Sequence, residues 1–151
     1  MPQVDFYILR ESAGPARLRF ACRLIEKACL GGHRVIAWLD SEAELAELDG
    51  LLWTFADRSF VPHERLAADG TAEAPVALQT GTLPAAPGFD VLVNLGSHSL
   101  PAEAGFARVA EIIEADENRR RLGRERFRAY RDRGWNPNTF NIDNETDAGN
   151  G

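Results

Sequence analysis

The chain has 151 residues, 44% hydrophobic and 26% charged, an ordinary balance for a soluble domain large enough to build a core without staples. A formal net charge of −6 and a pI near 5.1 argue against a molecule that wraps nucleic acid over its whole surface. The apolar runs are too short to span a membrane. The opening MPQVDFYILRES lacks the basic start, apolar stretch and small-residue site of a signal peptide.

Val4–Leu9 (VDFYIL) is a short β-type run. After Gly14 and Pro15, the residues Leu18, Ala21, Cys22, Ile25, Ala28 and Cys29 recur at helical spacing, and Gly31-Gly32 ends that helix. Cys22 and Cys29, the only cysteines, are separated by about 10 Å along the helix axis, too far for a disulfide. They read as buried free thiols in a reducing cytoplasm. Arg34–Leu39 (RVIAWL) is a buried strand, and the strand–helix–strand unit favours two parallel strands with a right-handed crossover.

Ser41 and Glu44 have capping-box spacing at the head of a second helix, whose stripe is Leu45, Leu48, Leu52 and Phe55. Trp53 falls off the stripe. In RSFVPHERL, Pro62 limits any strand to a sheet edge. Trp53, Phe60 and Val61 are candidates for an exposed apolar partner surface, or else for a cover over the sheet edge. The segment 67–89 is loop-like apart from a short strand at PVALQT, and Asp90–Gly96 (DVLVNLG) is the clearest buried strand. Phe106–Glu114 (FARVAEIIE) reads as a helix leading into a strand, with Ile112 and Ile113 buried. WNPNTFNID is a Pro/Asn-rich close. There are no repeats and no interdomain linker. The expected organisation is one domain over residues 1–139 and a polar, flexible tail over 140–151.

Between Glu117 and Gly134 lie eight of the sixteen arginines, giving that segment a local charge of +5 against −11 elsewhere. On a helix, Arg120, Arg124, Phe127, Arg128 and Arg131 share one face, with Leu122 and Ala129 opposite, where the core is expected. Phe127 is then a ring among guanidinium groups, away from the apolar stripe. A solvated helix end accounts for the charges, since cations complement the helix C-terminus. An anion-binding site accounts for the charges and the ring together. Arg126 and Arg133 fall towards the core side and need a carboxylate partner or a route to solvent.

Alternating strands and helices predict an α/β fold with a mostly parallel sheet flanked by helices, a nucleotide-binding-like topology. No phosphate-binding loop accompanies it: neither G-x-G-x-x-G nor G-x-x-x-x-G-K-[ST] occurs. His33, His63 and His98 are scattered, without zinc-site spacing. Ser97 and His98, in the Gly96–Ser99 turn, occupy a strand's C-terminal end, where α/β enzymes keep their sites, but no G-x-S-x-G surrounds them. From residues alone, a binding module with an arginine–aromatic surface and an apolar surface competes with a small hydrolase or transferase sited at Gly96–Ser99. Direct nucleic-acid binding by the arginine helix is a third reading.

FYIL near the start, Leu52-Trp53, SFVPH (Ser59–His63), Pro75-Val76 and RERFRAYRDRGWNPNT (Arg124–Thr139) resemble, in order and spacing, the chi subunit of bacterial DNA polymerase III. The resemblance covers about Val4 to Thr139. It implies a single α/β domain that is not itself an enzyme and holds no cofactor, an accessory subunit of a DNA-directed DNA polymerase complex. Such subunits are cytoplasmic and work with the nucleoid at replication forks. It further implies two partners: the psi subunit of the clamp loader, and the acidic C-terminal tail of single-stranded DNA-binding protein, which ends in Pro-Phe and a free carboxylate. DNA is engaged indirectly. Carried over by position, the tail-binding residues are Arg120, Arg124, Phe127, Arg128 and Arg131, with Ile113 as a pocket wall. The psi-facing residues are Trp53, Phe60 and Val61, and in some members this patch also serves a DNA-repair helicase. Arg120 and Arg128 stand where the family has lysine, and Phe127 where it has tyrosine, so a phenolic hydroxyl is lost.

Overall fold

Strands β1 (Gln3–Leu9), β2 (Val35–Leu39), β3 (His63–Arg65), β4 (Val76–Thr80), β5 (Val91–Asn94), β6 (Arg108–Ile113) and β7 (Asn138–Ile142) form one sheet in the order β3-β4-β2-β5-β6-β1-β7. Every pairing is parallel. The computed structural model describes residues 2–10, 16–58 and 60–143. Among these the helices are α1 (Ala16–Leu30), α2 (Glu42–Thr54) and α3 (Glu117–Asp132).

Alternation along the strands divides the core in two. Tyr7, Leu9, Val35, Ala37, Val91, Val93, Ala110 and Ile112 face α1 and α2, meeting Leu18, Ile25, Leu48 and Leu52. Phe6, Ile36, Trp38, Leu92, Val109 and Ile113 face the other way, towards Tyr130 of α3. Burial on both faces explains why β2 and β5 read as continuous apolar runs.

The helix ends are set as the sequence suggested. The Ser41 hydroxyl accepts from the Glu44 backbone N–H at 3.2 Å and caps α2. Gly32, at a φ of +85°, turns the chain out of α1 so that the His33 N–H reaches the Ala28 carbonyl at 3.0 Å. Neither cysteine is in a disulfide; Cys22 is buried and Cys29 only half-buried.

β1 and β2 run parallel, as expected, with β5 and β6 between them. Three readings need correction. No helix precedes β6: residues 104–107 are irregular and the strand starts at Arg108. A seventh strand, β7, was hidden in WNPNTFNID, and the boundary expected at residue 139 falls inside it. Residues 144–151 lie outside the described residues. Finally, α3 buries Gly123, Arg126 and Tyr130 rather than Leu122 and Ala129, a rotation of about 80° at about 100° per residue. Arg126 is buried against a carboxylate, one of the two ways the sequence reading left open for an arginine on the core side, and that pair turns the helix.

Candidate functional site

That carboxylate belongs to Glu111, 0% exposed on β6. It accepts from Arg126 Nε at 2.9 Å, Tyr130 Oη at 2.7 Å and Asn94 Nδ2 at 3.0 Å. Arg126, 3% exposed, also donates to the Ser97 carbonyl, and the Leu100 N–H donates to Tyr130 Oη. Burial is the main force raising the Tyr130 phenol far above its usual value, with the Glu111 charge adding to it, so the hydroxyl stays a donor. This network fastens α3 to the sheet and fixes which of its faces looks outward.

With α3 so held, its arginines sort into two groups. Arg119, Arg121 and Arg126 have internal carboxylates: Arg119 with Asp40 and Glu114, Arg121 with Glu125, Arg126 with Glu111. Arg133 stacks its guanidinium over Tyr130 and Trp135 at 5.2 and 4.8 Å. The other four are Arg120, Arg124, Arg128 and Arg131. Arg120 reaches only the Leu9 carbonyl, at 3.4 Å, and its Nε is buried with no acceptor among the described residues. Arg124 has a loose contact of 3.9 Å with the exposed Glu117. Arg128 and Arg131 are exposed, with no carboxylate partner among the described residues.

Arg120 and Arg124 rim a cleft of about 330 Å³ whose other walls are Phe6, Ile8, Ile113, Gly123, Phe127 and Thr139. It opens between α3 and the β1–β7 side of the sheet. Phe127 is half-buried with its ring 5.2 Å from that of Phe6, so it belongs to the cleft wall and not, as expected, to a surface remote from the core. The same rotation of α3 that buries Arg126 brings it there. Of the six expected tail-binding residues, Ile113, Arg120, Arg124 and Phe127 meet in the cleft, while Arg128 and Arg131 lie outside its lining. Phe6, Ile8, Gly123 and Thr139 were not foreseen; three come from strands brought together only by the sheet order. An apolar floor beneath uncommitted guanidinium groups suits a ligand that is both acidic and apolar at one end.

A second surface lies by the β3 edge. Trp53 and Phe60 are 51% and 70% exposed, with ring centroids 5.7 Å apart. Trp53 also rests on His63 at 4.5 Å, whose Nδ1 contacts the Val61 carbonyl at 2.6 Å. Val61 is 2% exposed and packs in the α1/α2 core, so the exposed patch is Trp53 and Phe60 without it.

At the C-terminal ends of the strands, where parallel α/β sheets take ligands, the described residues pair charged side chains with one another. Arg17 donates to the Leu95 carbonyl at 2.6 Å and pairs with Glu44 and, at 3.9 Å, Glu114. Arg119 reaches Asp40 at 3.4 Å and Glu114 at 3.5 Å. Asp40 Oδ1 accepts from the Ser97 N–H and hydroxyl, and a Cβ on Gly96 would stand 2.6 Å from it. Ser97 is thus engaged by Asp40, and the His98 ring faces Trp38 at 6.5 Å.

Fold and site together define an α/β protein with ion pairs across its strand ends and a cationic, apolar-floored cleft on one helix. Residues 1–138 match the family model described as DNA polymerase III chi subunit, HolC, and the chain belongs to that family. It is 41% identical over 135 residues to the DNA polymerase III subunit chi of Pseudomonas aeruginosa, covering 89% of this chain and 93% of that one. With the subunit chi of Escherichia coli it shares 27% identity over 143 residues, covering 92% of this chain and 97% of the other. The family's place is in a DNA polymerase complex, and so in DNA replication. The crystal structure of T4 UvsW shares the fold alone: the TM-score is 0.62 at 10% identity, over 92% of this chain but only 41% of that one. No helix among the described residues is long and apolar enough to cross a membrane.

Proposed function

We propose that this chain is a non-catalytic adapter of the polymerase III holoenzyme. It grips the acidic C-terminal tail of single-stranded DNA-binding protein in the α3 cleft, and it contacts the psi subunit through Trp53 and Phe60, with Val61 supporting them from beneath. It thereby couples the clamp loader to coated template at the fork. The observation that supports the tail reading is the cleft itself: an apolar slot of ring size whose rim holds Arg120 and Arg124, with Arg128 and Arg131 continuing the charge outside it. The tail's terminal phenylalanine fits the slot, and its carboxylates face the guanidinium groups. Trp53 and Phe60, the exposed aromatic pair, have the chemistry of an interface anchor; a repair helicase is a further candidate for that patch.

The test is a titration of a labelled acidic peptide ending in Pro-Phe, with single-stranded DNA of matched charge in parallel. Saturable peptide binding that is lost on removing the terminal Phe is expected. Arg124→Ala should weaken it, more at low salt than high, because the guanidinium is 63% exposed and screened by ions. Binding to DNA but not to peptide would instead make α3 a nucleic-acid contact and sink the adapter reading at this surface.

A further inference from the structure

Gly123 sits in the interior of α3, where glycine is among the least favourable residues for a helix. Its backbone does not ask for glycine, since it is not among the residues of positive φ. Space does. A Cβ built there would stand 3.0 Å from Ile113 Cδ1 and 3.3 Å from Ile113 Cγ1. Both residues line the cleft, together with Phe6, Ile8 and Phe127.

We infer that Gly123 determines which ligand side chain the cleft accepts: the missing Cβ holds the floor open to the depth of an aromatic ring. The inference rests on the tail reading and adds to it the residue that sets selectivity. Ile113 is buried, and on its protein side it is close-packed in the α3-side core. The room available to it on the other side is the cleft. A methyl at position 123 therefore drives the Ile113 side chain into the cleft and makes it shallower, leaving the rim arginines in place. A shallow cleft still takes a short aliphatic end but excludes a ring.

The experiment compares the parent protein with Gly123→Ala, using peptides of one acidic stem ending in Phe, Leu or Ala. Gly123→Ala should melt no lower than the parent, because alanine favours the helix. It should bind the Phe-ended peptide about tenfold more weakly, the scale on which a hydrophobic pocket discriminates by a methylene or two. Affinity for the Ala-ended peptide should change by less than about twofold on the same scale. Ile113→Val removes Cδ1, the nearer of the two atoms that the new methyl would crowd, so the double variant Ile113→Val/Gly123→Ala should recover binding of the Phe-ended peptide. Undiminished binding of that peptide by Gly123→Ala would overturn the inference, as would a loss shared equally by all three peptides or a double variant that fails to recover. A parent that binds none of the peptides would instead remove the tail reading on which the inference depends.

Discussion

Replacing Glu111 by glutamine keeps the size of a fully buried side chain and removes its charge. Three donors converge on the carboxylate, from Arg126, Tyr130 and Asn94. A glutamine oxygen facing Arg126 Nε keeps that bond, but its amide nitrogen then meets Tyr130 and Asn94, which are also donors. The Tyr130 hydroxyl is able to turn; Asn94 Nδ2 keeps the oxygen at 3.1 Å but loses the second one and faces an N–H in its place. Arg126 loses its counter-charge while almost wholly buried. Removing one partner of a buried ion pair typically costs about 3–5 kcal/mol, and the retained bond places this case near the lower end, at about 3 kcal/mol. That is a large share of the ~5–15 kcal/mol by which domains are stable. With a urea slope of about 2 kcal/mol/M, the unfolding midpoint should fall by about 1.5 M. The assay is urea unfolding followed by tryptophan fluorescence and far-UV circular dichroism. The double variant Glu111→Leu/Arg126→Met, apolar on both sides, should recover much of the loss. A midpoint for Glu111→Gln within about 0.3 M of the parent, on the same slope, would refute the claim that this network fastens α3.

Two adjacent residues should behave oppositely. Val61→Ala, at a core position, should cost about 2 kcal/mol in stability, whereas Phe60→Ala, 70% exposed, should cost less than about 0.5 kcal/mol and act on a partner contact instead. Equal destabilisation by both would put Phe60 in the core. Asp90 offers a pH test: burial pushes its carboxyl up, but bonds from the His33 ring at 2.6 Å and the Arg34 N–H at 2.8 Å outweigh this and hold it below its usual range. A depressed carboxyl stabilises the fold above its unfolded value of about 3.9, and that contribution is lost as pH falls through the folded value. Asp90→Asn should therefore melt lower than the parent at pH 6, by a small margin because the pair is half-exposed, and converge with it at acid pH once the folded value has been passed. An equal gap at both pH values would assign the effect to shape rather than charge.

The parts of the fold legible in the sequence are those whose signal is local. β2 and β5 are apolar on both faces and read as unbroken runs, and the α2 cap is written in Ser41 and Glu44. β7 left no such trace, because four of its five residues are exposed and it is held by backbone pairing to β1. In FARVAEIIE the inward Glu111 broke the alternation that marks a strand, and its partner Arg126 lies fifteen residues on, in another element. The sequence placed Arg126 towards the core and asked for a carboxylate partner, but centring the buried face on Leu122 and Ala129 misplaced that face and, with it, Phe127. The arginine rim of the cleft was readable because one helix carries it. The floor was not, since Phe6, Ile8 and Thr139 become neighbours only when β1 and β7 pair.

The ion pairs across the strand ends stand where a related fold would hold a ligand. A protein that takes a small molecule at that position is stabilised by mass action, by about RT ln(1 + [L]/Kd), and so its folded population tracks the ligand's concentration. Here Arg17, Arg119, Asp40, Glu44 and Glu114 occupy the place as covalent parts of the chain, at an effective concentration that never varies. These contacts tie the chain after β2, at Asp40, after β5, at the Leu95 carbonyl, and after β6, at Glu114, to α1 and α3 through groups of the protein itself.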